Sequence, residues 1–516
     1  MSIAADSPFV RLHPDDNIAI ARANVGTGVP LPGAGSVSTT EPVDLGHKVA
    51  LVPLAKGDPV RKFGQLIGFA TEPVAAGEWV HSHNLAVGSR SQDYEFATAI
   101  PPAPAPCPER TFPGYRRADG RIATRNYIAL ISTVNCSATT ARNVAAAFDQ
   151  SLLADYPQID GVVALTHQGG CAMQYGGEDH EQLSRTLAGF ARHPNIAAYL
   201  ILGLGCETGQ GSFLVDRNGL TQLTLPGEEP ETLPLMMNIQ DVGGVRKTVD
   251  RAVGVLKEML PEVNKFQREP VPVSELILGT ECGGSDGNSG VTANPAVGIA
   301  SDLLVAHGAT SILAETPEIY GGEHLLTRRA VSREVGEKLI ERIRWWEEYT
   351  GKFGVEIDNN PSVGNKKGGL TTIWEKSLGA IAKGGSTALR QVYRFAEPVT
   401  EKGFVVMDSP GYDPASVTGM VAGGANVVVF TTGRGSCFGC KPVPSIKIAT
   451  NTPMYERMID DMDLNAGTIL DGVPVEEVGR EIFEKIVAVA GGEKTKSEQQ
   501  GIGDSEFCPW SIGPVL

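Results

Sequence analysis

The sequence predicts an α/β protein, with a small β-rich N-terminal domain ahead of a larger, multi-lobed α/β body of mostly parallel sheets. Three observations predict it. Between Phe9 and Asn84, short apolar runs are punctuated by Gly26, Gly46, Gly57, Gly64 and Gly77, the pattern of short strands and tight turns. Residues 97–113 are rich in proline and read as an extended spacer. From Arg125 onward, buried apolar runs alternate with helical stretches, a βαβ pattern that closes a parallel sheet through right-handed crossovers. A chain of 516 residues suits roughly three domains. The expected units are 1–96, the spacer 97–113, then 114–270, 271–398 and 399–516.

Charge and composition exclude several classes. The net charge is −16 and no basic stripe is present, which argues against a nucleic-acid partner. No apolar run is long enough to span a bilayer, so no membrane partner is expected. Met1–Asp6 lacks the basic flank and apolar stretch of a secretory signal, so a soluble, cytoplasmic protein is expected. In that compartment the 8 cysteines stay reduced, free to ligate metal or fill the core. A homo-oligomer is possible, but nothing in the sequence specifies one.

In the N-terminal unit, Asn17–Ile20, Lys48–Val52 and Leu66–Ala70 read as strands. Gly46-His-Lys48 offers His47 and Lys48 as catalytic groups. If His81-Ser-His-Asn84 is strand, His81 and His83 share a face and can hold one metal ion or one anion, or they simply end the domain.

Beyond the spacer, strand Asn126–Val134 ends at Asn135-Cys136, strand Gly161–Leu165 leads to Thr166-His-Gln-Gly-Gly-Cys171, and strand Ala197–Leu202 ends at Gly203-Leu-Gly-Cys-Glu207. Helices are expected at Ala138–Leu153 and Asp179–Arg192. Parallel strands share one carboxyl edge, so Cys136, Cys171 and Cys206 should lie along one rim with His167 and Glu207 beside them. Leu233–Ile239 reads as the next strand and Val245–Leu260 as a helix.

The densest polar stretch is Glu281-Cys-Gly-Gly-Ser-Asp-Gly-Asn-Ser-Gly-Val-Thr-Ala-Asn-Pro295, between apolar run Leu276–Gly279 and the helix expected from Ala296. Its glycines permit close backbone approach to a ligand. Cys282, Ser285, Asp286, Asn288 and Asn294 supply ligand atoms where α/β sheets bind them. Cys282 joins the other three cysteines in an expected convergence on one cleft. Cysteine filling the core is the plain alternative.

Thr310–Glu315 reads as a strand and Ala330–Tyr349 as an amphipathic helix. Pro361–Leu370 reads as a second polar loop, in which Asn365, Lys366 and Lys367 can hold a carboxylate and a lysine can act as base. Strand Asn426–Phe430 ends in Thr431-Thr-Gly-Arg-Gly-Ser-Cys-Phe-Gly-Cys440. There Arg434 can fork onto a carboxylate. Cys437 and Cys440 form one C-x-x-C pair, too little to specify a zinc site.

These runs together resemble the altronate and galactarate dehydratase family of sugar-acid hydro-lyases. The matching stretches are Gly46–Leu51, Val134–Cys136, His167–Cys171, Gly203–Glu207, Glu281–Asp286, Gly290–Pro295, Gly364–Gly369, Thr432–Gly435 and Asn465–Thr468. The resemblance implies a SAF-type (β-clip) N-terminal domain and an α/β catalytic body. It also implies a small sugar-acid substrate and dependence on Fe2+ or Mn2+, for which the spacing and strand ends read above offer His81, His83, Cys136, Cys171, Cys206, Glu207 and Cys282 as candidate ligands. His81-Ser-His-Asn84 is closer to the altronate branch, whereas Gly435-Ser-Cys-Phe-Gly439 departs from better-known members. D-altronate is therefore the first expected substrate, and galactarate or another aldonate or aldarate the alternative. A neighbouring branch resembles sulfolactate sulfo-lyase. Cysteine-terminated strands also suit an iron–sulfur cluster, and a non-catalytic sugar-acid-binding protein is the remaining reading.

Overall fold

Period-two alternation sorts the N-terminal strands between two cores. The computed structural model describes residues 7–88, 93–105, 107–222, 234–357 and 360–512, so the expectations on Met1–Asp6 and Leu233 fall outside the described residues. Strands Phe9–Val10, Ile18–Ala21, Lys48–Ala50 and Trp79–Val80 form an antiparallel sheet, and Pro59–Lys62, Gln65–Ala70 and Leu85–Ala86 a second. Ile18, Ile20, Ala50 and Val80 face one cluster, whereas Ala19, Ala21, Val49 and Leu51 face the other. The first cluster also takes in Val291, Leu378 and Leu470 of the body, so this domain's core is continuous with the rest of the protein.

The second unit is a four-stranded parallel sheet in the order Gly161–Leu165, Tyr127–Ser132, Ile196–Gly203, Leu235–Asn238. Ile128, Leu130 and Leu200 pack with helices Asn135–Ala145 and Val245–Val263, while Ile131, Tyr199 and Ile201 pack with helix Glu178–Ala191. The single helix expected over Ala138–Leu153 is two, Asn135–Ala145 and Gln150–Leu153; the second is capped by the Asp149 carboxylate on the Leu152 amide at 2.9 Å.

The largest sheet has seven parallel strands, in the order Leu389–Tyr393, Gly403–Met407, Thr310–Leu313, Ile277–Cys282, Val427–Thr432, Ser445–Ala449, Leu464–Asn465. It spans the boundary expected at residue 398, so 271–398 and 399–516 are one body. Local periodicity marks strands but does not say which ones pair, which is why the sequence split it. Helices Ala293–Ala306 and Val475–Ala490 cover one face. Helix Asp413–Ala422 covers the other and shares its core with helix Glu178–Ala191. The antiparallel sheet of Arg268–Pro272, Thr111–Arg116 and Ile122–Ala123 straddles the boundaries drawn at 113 and 270.

Two motif-bearing segments differ from expectation. His81-Ser-His-Asn84 is a turn, pinned by the Asn84 side chain, whose oxygen accepts from the His81 amide at 2.9 Å and whose nitrogen donates to the Trp79 carbonyl at 2.9 Å. The loop expected at 361–370 contains helix Val363–Lys367, closed by a capping box between Ser362 and Asn365. No helix among the described residues is long and apolar enough to cross a membrane.

Candidate active site

In the seven-stranded sheet, the chain runs outward in one direction from Ile277–Cys282 and in the other from Val427–Thr432. The switch point between them is where open α/β sheets bind ligands. Three neighbouring carboxyl ends deliver acids there: Glu281 and Cys282 from Ile277–Cys282, Glu315 and Glu318 just after Thr310–Leu313, and Asp413 after Gly403–Met407. Glu315 has φ 64°, a left-handed conformation that turns the chain into the short 3-10 helix Thr316–Glu318. Gly283 lets the Asp413 carboxylate approach, because a Cβ there would lie 2.3 Å from Asp413 Oδ2.

Helix Ile373–Ile381 and the turn after it bring the counter-charges. Lys376 Nζ lies 2.7 Å from Glu318 Oε1 and 3.0 Å from Asn360 Oδ1, and Lys383 is paired with Glu315. Four carboxyl groups thus face two ammonium groups. Burial pushes the Glu318 carboxyl up to about 7 and Asp413 up to about 6, each reinforced by a neighbouring carboxylate. Glu281 is raised well above the usual range by burial and by Glu315, and burial pushes the Cys282 thiol up to about 12. Against the effect of burial, Lys376 is held above its ordinary value by Glu318 and Lys383 by Cys282 and Glu315.

Raised carboxyl values in a cluster with surplus negative charge are the signature of a site that takes either protons or a cation. The donor atoms of Cys282, Glu315 and Glu318 lie within 4.8 Å of one another, as do those of Glu281, Glu315 and Asp413. Glu281 Oε1 is buried without a hydrogen-bond partner, while Glu281 Oε2 accepts from Ser416 Oγ at 2.7 Å. This set of carboxylates with one soft sulfur fits Fe2+ or Mn2+. Cys282, Glu318, Lys376 and Asp413 open onto a cleft of about 630 Å³ that Asn360, Ser362, Asn365 and Tyr412 also line.

The N-terminal domain closes the site from behind. Lys62 and Phe63 share a small buried cavity with Cys282, Ser285 and Lys376. Lys48 and Lys62 both pair with Glu375, at 2.9 and 2.8 Å. Trp79 Nε1 donates to His47 Nδ1 at 3.0 Å, which leaves His47 Nε2 to donate to the Lys367 carbonyl at 3.2 Å. His81 Nε2 donates to the Lys366 carbonyl at 2.8 Å and its Nδ1 accepts from Ser82 Oγ. Burial lowers both histidines, His81 to about 4. Both rings are therefore neutral docking groups. His83, in the turn, is exposed and lies against Trp79. The pairing of His81 and His83 on one metal, which required a strand, is corrected.

The other candidate residues divide clearly when each is followed to its partners. Lys48 is a buried ion-pair partner. The Asp286 carboxylate accepts from Ser289 Oγ, Thr450 Oγ1, Asn451 Nδ2 and the Asn288 amide, so it holds its own loop in place. Asn294 bridges Thr431 Oγ1 and the Gly379 carbonyl, and Asn365 donates to the Ser285 carbonyl. Ser285 Oγ and the Asn288 side-chain amide are buried without partners and remain available to a ligand. Lys366 is half-buried and Lys367 exposed. Arg434 is exposed, with its amide on the Gly284 carbonyl at 2.8 Å, beside the turn that lines the cleft.

His167 and Glu207 are struts. His167 Nε2 donates to the Ser132 carbonyl at 2.9 Å and Nδ1 accepts from the Gly169 amide at 3.1 Å; burial lowers it to about 4. Glu207 accepts from Thr133 Oγ1 and from the Leu204 and Gly205 amides. The expected convergence of four cysteines is corrected: Cys282 is buried on the seven-stranded sheet, while Cys136, Cys171 and Cys206 are exposed on the four-stranded one. Sequence reasoning passed over Glu281, Glu315, Glu318, Lys376, Lys383 and Asp413 as site residues. The available signal was Glu315-Thr-Pro-Glu318, two acids three apart directly after a buried strand.

A cleft at the switch point of a parallel sheet, floored by paired acids and lysines, defines an enzyme of acid–base chemistry. The chain belongs to the D-galactarate/altronate dehydratase family, a family of hydro-lyases. It matches the family's SAF domain over residues 7–88, its second domain over 114–264 and its C-terminal domain over 273–515. It is 34% identical to altronate dehydratase of Bacillus subtilis, over 95% of this chain and 96% of that one. It is 37% identical to galactarate dehydratase (L-threo-forming) of Escherichia coli, over 98% and 97%. A (2R)-sulfolactate sulfo-lyase subunit beta of Chromohalobacter salexigens is 33% identical over 77% of this chain and 96% of its own length.

Proposed function

We propose that the protein removes water from a 2,3-dihydroxy sugar acid to give a 2-keto-3-deoxy acid, with D-altronate the first candidate and galactarate the second. The observation that carries this is the Glu318–Lys376 pair with Asp413 and Cys282 on the floor of the open cleft. The reaction takes a weakly acidic proton from the carbon beside the carboxylate and expels hydroxide from the next carbon. A carboxyl that titrates near neutrality can accept the first proton and return one to the departing oxygen. Lys376 keeps the Glu318 carboxylate ionised for that task, and Asn360 orients it through a hydrogen bond of 2.7 Å. Arg434, at the cleft's edge, supplies a fork for the substrate carboxylate. The enol so formed tautomerises to the ketone.

Glu281, Glu315 and Asp413, with Cys282 beside them, would hold Fe2+ or Mn2+ and leave Glu318 to the proton transfer. Such an ion supplies Lewis acidity toward the carboxylate and the leaving hydroxyl. The motif His81-Ser-His-Asn84 favours altronate, whereas the galactarate relative has the higher identity. Purified protein, kept anaerobic with Fe2+ or Mn2+, is to be tested on five- and six-carbon aldonic and aldaric acids for 2-keto acid formation. Keto acid from altronate or galactarate supports the reading. Sulfite release from sulfolactate with no keto acid from any sugar acid overturns it in favour of a carbon–sulfur lyase. Binding without turnover overturns it in favour of a sugar-acid-binding protein.

A further inference from the structure

Cys136, Cys171 and Cys206 are all exposed, although free cysteine is among the most buried residue types. They follow three neighbouring strands of one parallel sheet, whose axes lie ~4.8 Å apart. Their loops are tied together: the Asn135 amide donates to the Gly169 carbonyl at 3.0 Å, and the Gly209 amide to the Gly170 carbonyl at 3.0 Å. Gly170, with φ 96°, permits this approach; a Cβ there would lie 2.1 Å from the Thr133 carbonyl oxygen and 2.7 Å from Val134 Cα. His167 and Glu207, in the same loops, are both engaged in fixing them. What the rim presents is three thiols on a rigid frame.

We propose that these three cysteines hold a [4Fe–4S] cluster in which one iron has no cysteine ligand. A single zinc or iron ion draws its sulfurs to about 2.3 Å from itself. None of the three cysteines belongs to a trio of ligand atoms within 4.8 Å of one another among the described residues, so the spacing does not suit one ion. A cubane places each cysteine on a different iron and tolerates wider separation. Each thiol gives up its proton as its sulfur binds iron; two ferrous ions, two ferric ions and four sulfides come from solution or a donor protein, so assembly itself transfers no electron. Gln240 Nε2 lies 3.3 Å from Cys206 Sγ, a hydrogen bond of the kind that tunes cluster potential. Cys136 sits in the first turn of helix Asn135–Ala145, which lacks a side-chain cap, so the positive end of the helix dipole favours an anionic cluster. The open iron would take an oxygen ligand such as hydroxyl or carboxylate. This goes beyond the dehydratase reading, whose acid–base groups lie on the other sheet, and does not rest on it.

The full chain should be purified anaerobically and reconstituted with equal amounts of ferrous and ferric iron and with sulfide. Iron, acid-labile sulfide, visible absorbance and the EPR signal after dithionite reduction are then measured separately from turnover. Roughly four irons and four sulfides per chain are expected. They should be lost in Cys136→Ala/Cys171→Ala/Cys206→Ala and retained in Cys282→Ala and in Cys437→Ala/Cys440→Ala. Circular dichroism checks the triple variant's fold, and single Cys→Ser variants give the same readout if it fails to fold. Wild-type protein without sulfide above that of the triple variant, or loss of the cluster only with Cys437 and Cys440, overturns the proposal. A cluster in a protein inactive on every sugar acid supports it while defeating the dehydratase reading, and turnover without sulfide does the reverse.

Discussion

Lys48 Nζ lies 2.9 Å from Glu375 Oε2, both side chains are fully buried, and 327 positions separate them in the chain. Lys62 shares the same carboxylate, and the Thr371 amide and hydroxyl complete its hydrogen bonds. Despite burial, the two ammonium groups hold the Glu375 carboxyl well below its usual range. Burial pushes Lys48 down to about 8. The N-terminal domain is thus bolted to the body by charge as well as by a continuous apolar core.

Glu375→Gln should therefore destabilise the protein by about 3–5 kcal/mol, because it leaves two buried ammonium groups without a carboxylate. Denaturant unfolding measures this. A loss under about 1 kcal/mol, the range of exposed pairs, would contradict the buried bolt.

Relative to its His167→Gln variant, the protein should lose stability as pH drops from about 6.5 to about 4, while the raised carboxyls of Glu318 and Asp413 act in the opposite sense in both proteins. His81 and His167 are pushed down to about 4, and His47 is lowered too, so the native state stays unprotonated while the unfolded chain takes up protons. Above 6.5 these groups contribute no slope. For fully buried His167 the loss approaches about 3 kcal/mol at pH 4. Melting temperature against pH checks this, and His167→Gln should flatten the curve.

Glu318→Gln should lower kcat by about 100-fold or more with the fold intact by circular dichroism, since the amide neither accepts nor returns a proton. Rate measurements on the sugar acid that proves to be the substrate decide it. Unchanged kcat would remove Glu318 from proton transfer.

Mn2+ affinity should weaken as pH falls through about 6, because protons compete for Asp413, pushed up to about 6. Titration calorimetry in buffers of different ionisation enthalpy should register proton release on binding. Gly283→Ala should weaken the same affinity by crowding Asp413 Oδ2, which lies 2.3 Å from the added Cβ.

Arg434→Lys should raise KM about tenfold, equivalent to about 1.4 kcal/mol, because an ammonium replaces a planar fork. Steady-state kinetics reads it directly, and equal KM would place the substrate carboxylate elsewhere.

Much of the fold was legible because it is written locally. Runs such as Tyr127–Ser132 and Ile196–Gly203 are buried throughout, as a covered parallel strand requires, and their alternation with helices identifies the sheet. The strand ends were equally legible, which is why the cysteine rim and the polar stretch after Cys282 were found. The candidate acid–base cluster was legible only in Glu315-Thr-Pro-Glu318. Lys376 and Lys383, seven apart on a buried helix and turn, look from sequence like part of any amphipathic segment.

By itself the sequence determined the α/β class, the β-rich N-terminal domain, the parallel order of elements beyond the spacer and the places where polar groups collect, because hydrophobic period and turn chemistry act over a few residues. Only the tertiary structure decided that 271–398 and 399–516 share one sheet and that Glu281, Glu315, Glu318 and Asp413 meet. It alone made His47, His81 and Lys48 docking groups and separated Cys282 from the other three cysteines. Those outcomes depend on strand pairing and desolvation between residues tens to hundreds of positions apart. A carboxylate's proton affinity is set by the neighbours and the burial that this pairing creates.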